Sequence, residues 1–139
     1  MKKKSDKKTS SLQPALPPLD SALFAQFTAF STRKGDIART KILSATLQCI
    51  AHQGIEKTGF ESIGKLCGMR RAHVAYYYPD RDELVLSAIQ FAIATAQQTT
   101  VAHVFKAPSD KERLDAFVHG IFDWAEKYPE HTRVILLFY

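Results

Sequence analysis

The chain has 139 residues, 45% of them hydrophobic and 24% charged, and two cysteines. That length allows one compact unit with a modest core plus tails, and so few cysteines exclude a disulfide-built scaffold. The formal charge of +5 sits ahead of Asp36, where Lys2, Lys3, Lys4, Lys7, Lys8, Arg33 and Lys34 stand against Asp6 and Asp20. Residues 1–33 read as a basic, mostly disordered leader. Pro14, Pro17, Pro18 and Asp20 interrupt any apolar segment that could serve as a secretory signal core, and no run is expected to be long enough to span a bilayer. Leu19, Leu23, Phe24, Phe27 and Phe30 fall near one helical face, so a short amphipathic helix is the alternative to a linker there. A basic tail of this kind either follows DNA phosphates or stays solvated, and Arg33 and Lys34, next to the first helix, are its candidates for contact.

Cys49 and Cys67 lie on helical apolar stretches and suit buried, reduced thiols, as in a cytoplasm. Cys49 and His52 share a helical face, but no further Cys or His cluster completes a metal set, so no metal is expected. Thr58 and Glu61 have the spacing of a capping box that would open a helix. Phe60, Ile63 and either Leu66 or Cys67 would give that helix its apolar face, with Glu61, Ser62 and Lys65 in water. Gly68 ends it, because a left-handed backbone there allows a sharp turn. Gly64 removes a side chain where two steeply crossed helices would touch. In the next helix Met69 and Val74 can bury, while Arg70, Arg71, His73, Tyr76 and Tyr77 face outward with donors suited to phosphates and base edges. This is the layout of a helix-turn-helix DNA reader, with an ordinary helical hairpin as the alternative.

After Pro79, Asp80 can cap a long helix whose buried side is Leu84, Val85, Ala88, Ile89, Ala92, Ile93 and Ala96. Pro108 and Ser109 punctuate the next start, and Leu114, Phe117, Val118, Ile121, Phe122 and Ala125 repeat at helical spacing as an expected core face. Phe122 and Trp124 are candidates to line a ligand pocket, against the simpler reading of core. His119 and Asp123, one turn apart, read as a surface hydrogen bond. Pro129 opens a last helix, which runs into Val134, Ile135, Leu136, Leu137, Phe138 and Tyr139 without a C-cap, so the chain is expected to break off within an element.

From Arg39 to Leu84 the residues resemble the tetracycline-repressor (TetR) family of bacterial transcription regulators. Upstream, ARTKILSATLQCIAHQGIEKTGF is similar to the family's first helix, ending in a glycine and followed by the threonine, Thr58, that opens the next helix. Downstream, YYYPDRDEL is similar to its aromatic-rich exit from the recognition helix. The resemblance implies an all-α homodimer with an N-terminal three-helix DNA-binding domain and a ligand-sensing, dimerising domain behind it. In this chain these would be residues 34–80 and a partial domain at residues 81–139, the family's final helices being absent. Departures are Arg70 where the family has a small capping residue, Ala75 where it has a phosphate-contacting tyrosine, and the short length, while Tyr77 and Arg81 still match, Arg81 keeping the charge where the family has lysine.

The interface expected on this reading comprises Arg33, Lys34, Thr58, Arg70, Arg71, His73, Tyr76, Tyr77 and Arg81, with Arg71 and His73 on base edges and Tyr77 and Arg81 on phosphates. The expected partners are a double-stranded DNA operator, a second copy of the chain and an unidentified small-molecule effector, with no cofactor and no membrane. No Ser/His/Asp or Cys/His set and no phosphate-cradling glycine loop is visible, so catalysis is not expected. The competing reading is a helical protein-interaction module that does not read DNA. It predicts that Arg71, His73, Tyr77 and Arg81 are buried or paired away.

Overall fold

Helix α1 (Lys34–Gln53) is the centre of the fold, because its middle is apolar on almost every side. Ile42, Leu43, Ala45, Leu47, Cys49, Ile50 and Ala51 are all buried. The buried Thr46 satisfies its hydroxyl by donating back to Ile42 O at 2.7 Å. The computed structural model describes residues 34–138. The expected leader helix around Phe24 and Phe27, Arg33, the Lys34 side chain and Tyr139 lie outside the described residues. Six helices and no strand occur among those described: after α1 come α2 (Phe60–Cys67), α3 (Arg71–Tyr77), α4 (Arg81–Lys106), α5 (Asp110–Lys127) and α6 (Pro129–Leu137). The fold is all-α.

Gly54, at φ +85°, ends α1, with its N–H donating to Ile50 O at 3.0 Å. The capping of α2 differs from expectation by one residue. Gly59 is the N-cap, and its N–H donates to the Ser62 hydroxyl at 3.1 Å. Thr58 is buried instead, and its hydroxyl donates to Gly54 O at 2.9 Å, meeting a carbonyl left over at the end of α1. Glu61, freed from capping, lies 3.4 Å from the Lys65 ammonium one turn on, in water. Cys67 takes the inner position and Leu66 is exposed. Gly68 adopts φ +71°, the left-handed turn that separates α2 from α3. A Cβ on Gly64 would sit 2.5 Å from Met69 O, so the close approach is to turn backbone rather than to a crossing helix.

Asp80 caps α4 by accepting the Glu83 N–H at 2.8 Å. Leu84, Val85, Ala88 and Ala92 join the α1 core with Ile63, Val74 and Val134. Farther along, Ala94 and Thr100 are buried while Ile93 is exposed, because α5 covers a different strip of α4 from the one α1 covers. By length and composition α4 is apolar enough to cross a membrane, contrary to the sequence expectation, but it packs on α1, α5 and α6. Gly120 lets α5 lie against α4 at close range, since a Cβ there would meet Thr100 Cα at 2.7 Å.

The expected core face of α5 is not buried among the described residues. Leu114, Phe117, Val118, Ile121 and Phe122 are exposed, and the side turned to α4 is built on Gly120 and Trp124. Asp123 pairs with His103 of α4 at 3.1 Å rather than with His119, whose Nδ1 lies 2.8 Å from Asp115 O. In α6, His131 and Val134 are buried, while Leu136, Leu137 and Phe138 are exposed.

Candidate nucleic-acid interface

Val74 is completely buried and anchors α3 to the α1 core. A seven-residue helix held by one such anchor must present the rest of its circumference outward. Arg70, Arg71 and His73 are exposed, Tyr76 is 78% exposed, and Tyr77 is half-buried. Arg70 is the N-cap with extended backbone and makes no side-chain cap, as expected for a residue without an acceptor; its carbonyl starts the helix by accepting from His73 and Val74.

The aromatic side chains brace one another. His73 and Tyr77, one turn apart, have ring centroids 5.4 Å apart, and Tyr76 meets Tyr77 edge-on at 5.3 Å. Arg39 of α1 lies over the Tyr77 ring, 5.8 Å from its centroid, a cation–π contact that joins α1 to α3. Sequence reasoning missed Arg39. Its periodicity on α1 marks only an exposed position, and the partner 38 residues later is visible only once α1 and α3 are packed. Tyr78, behind this cluster, has its phenol pushed up by burial although Arg39 pulls it down.

Two expected members are not on this surface. Thr58 is 1% exposed and its hydroxyl is engaged by Gly54 O. Arg81, expected at a phosphate, stays 37% exposed in its side chain but has its guanidinium engaged: Nε donates to Thr58 O at 2.8 Å, Nη2 donates to Ile55 O, and Nη1 meets Asp82 at 2.9 Å. Thus the structure brings together Arg70, Arg71, His73, Tyr76 and Tyr77, adds Arg39, and sets Thr58 and Arg81 beneath them as supports.

The pocket candidates separate. Residues two apart on a helix point to opposite sides. Trp124 is buried and donates from Nε1 to Thr95 Oγ1 at 3.0 Å, whereas Phe122 is 70% exposed. A groove of about 730 Å³ lies elsewhere, between α1 and α2, lined by Gln48, His52, Gln53, Lys57 and Lys65 among others. Cys49 at its floor has its thiol pushed up chiefly by burial, and His52 faces Glu130 of α6 at 4.0 Å.

Residues 42–88 match the family model for bacterial regulatory proteins of the tetR family. The chain is similar to the HTH-type transcriptional regulator BetI of Agrobacterium fabrum (strain C58 / ATCC 33970), 26% identical over 103 residues that cover 74% of this chain and 50% of that protein. Proteins of the same name match from Stenotrophomonas maltophilia (strain R551-3), at 27% over 104 residues (74% and 53%), and Rhizobium meliloti (strain 1021), at 23% over 103 residues (74% and 51%). The chain spans about half the length of the curated relatives it matches. No solved structure matches it significantly. The matched segment, residues 42–88, is the one in which α2, the Gly68 turn and α3 are set on α1, so in this part the chain is similar to the bacterial regulatory proteins of the tetR family.

Proposed function

We propose that the chain is the DNA-reading part of a cytoplasmic, ligand-responsive transcriptional repressor, with α3 entering the major groove of double-stranded DNA. The observation that carries this reading is the outward cluster of Arg70, Arg71, His73 and Tyr76 around a Tyr77 held by Arg39. It combines donors for base edges with donors for phosphates on one small face. The printed names of the relatives, all transcriptional regulators, support it. Arg71 and His73, in the first turn, reach base edges; Arg70, Tyr76 and Tyr77 hold the backbone, with Arg33 and Lys34 as flanking phosphate contacts.

Seven helical residues at 1.5 Å each extend about 10 Å, or about three base pairs at 3.4 Å, so one reader cannot select an operator alone. A homodimer on two half-sites is the arrangement that supplies the missing affinity. The effector is a small molecule bound in the domain that α4 opens. The interaction-module reading finds support in the paired Arg81, the half-buried Tyr77 and the exposed apolar side chains of α5, but Arg71 and His73 are exposed and α5 does not carry their cluster, so a protein contact there is compatible with DNA reading. A selection of random duplexes tests the proposal: enrichment of one two-fold symmetric sequence is expected, and recovery of unselected sequence at every salt concentration would refute it.

A further inference from the structure

Arg81 is the first residue of α4, and it reaches carbonyls 23 and 26 positions back in the chain. Ile55 and Thr58, which own those carbonyls, form the loop that leads into α2. Arg81 itself follows directly on the exit from α3. One guanidinium therefore joins the two ends of the helix-turn-helix and anchors both to α4. The loop gains from such a donor: Thr58 O accepts no backbone N–H among the described residues, and Ile55 O, which already accepts the Thr58 N–H at 3.2 Å, takes the guanidinium as a second donor. A planar fork can serve two carbonyls and the Asp82 carboxylate together. A lysine, the residue that the family resemblance leads one to expect here, offers one compact charge and cannot hold that geometry.

We propose that Arg81 is a positioning residue that closes the reader, fixing the entry of α2 and hence the pose of α3 relative to α4, and that it does not act by neutralising a phosphate. The proposal deepens the DNA-reading assignment, and its test contains an arm that needs no DNA. Arg81→Ala and Arg81→Lys are compared with the wild type by amide hydrogen exchange of the free protein and by titration of a mixed-sequence duplex of about three helical turns.

In the free protein, amides of residues 59–63 are expected to exchange at least about tenfold faster in both variants while those of α5 keep their rates, the sign of a local opening. Duplex affinity is expected to fall about tenfold in both variants, with the slope of log K against log salt unchanged. The proposal is overturned if Arg81→Lys restores affinity while Arg81→Ala flattens that slope by about 0.9, the signature of one lost phosphate contact. It is equally overturned if exchange rises uniformly through α4 and α5, which marks general destabilisation, or not at all. A wild type that binds no duplex while residues 59–63 still open selectively defeats the DNA assignment and leaves the closing role of Arg81 standing.

Discussion

Arg71 and Tyr77 illustrate how neighbouring donors on one short helix divide their work. Arg71 is exposed in the first turn, which on the proposed reading comes nearest the bases, whereas Tyr77 is fixed at the far end between His73, Tyr76 and Arg39. Arg71→Ala should weaken operator binding by about 1 to 3 kcal/mol and relax preference at one base pair, measured on a panel of single-base operator variants. An equal loss on operator and random DNA would exclude base reading by this side chain. A second residue-scale prediction concerns His131. Burial among Phe91, Tyr128 and Thr95 lowers its pKa below the usual 6.5, with Glu130 pulling it back only in part. The folded state then binds fewer protons than the unfolded chain below pH 6.5. Its contribution to stability is complete above that value and is lost as the pH falls towards the folded pKa. Urea midpoints should therefore decline with pH just below 6.5, and His131→Gln should flatten that decline.

Among the helices, α4 and α5 are held at a distance that only a glycine permits. Gly120→Ala places a methyl group 2.7 Å from Thr100 Cα, a backbone atom that cannot swing aside, so the helices must separate. A loss of about 1 to 3 kcal/mol is expected from overpacking of this kind, read as a lower midpoint in chemical unfolding. Gly35→Ala is the control. That glycine lies in the first turn of α1 with no atom of the described residues within 4 Å of its Cβ position, and the change should stabilise by up to about 1 kcal/mol. Both variants gain the same intrinsic helix propensity, so a difference of sign isolates the steric contact.

At the level of the whole molecule, two features bear on association. The surplus charge lies ahead of Asp36. Removing residues 1–32 should lower DNA affinity at low salt while preserving sequence preference, since counterion release does not depend on the bases. Binding that is unchanged across a salt titration would show that the segment plays no part. The second feature is the apolar surface left by Leu114, Phe117, Phe122, Leu136, Leu137 and Phe138. Its burial is worth about 25 cal/mol per Å² removed from water, which favours association of the isolated chain with itself. Sedimentation should show wild-type oligomers at tens of micromolar, an order-of-magnitude range suited to modest affinity. A Leu136→Asp, Phe138→Asp double variant should be monomeric under the same conditions.

Local chemistry decided a good deal of this architecture before any packing. Gly68 requires the turn because its left-handed backbone is strained for other residues, Asp80 accepts an N–H three residues on, and Phe60, Ile63 and Cys67 repeat at the spacing of a buried face. Each depends on neighbours within one or two turns, so each was readable in the sequence, as was the outward set around Arg71. Other features required elements far apart in the chain to meet. Thr58 lost its capping role because the α1 end offered an unpaired carbonyl, Arg39 found Tyr77 only when α1 and α3 packed, and Arg81 met the loop carbonyls of Ile55 and Thr58. Periodicity likewise marked the α5 stripe as an expected core face, which is exposed among the described residues. A sequence pattern records which face of a helix prefers to leave water, and tertiary structure alone determines which face finds a partner and which donors are already engaged.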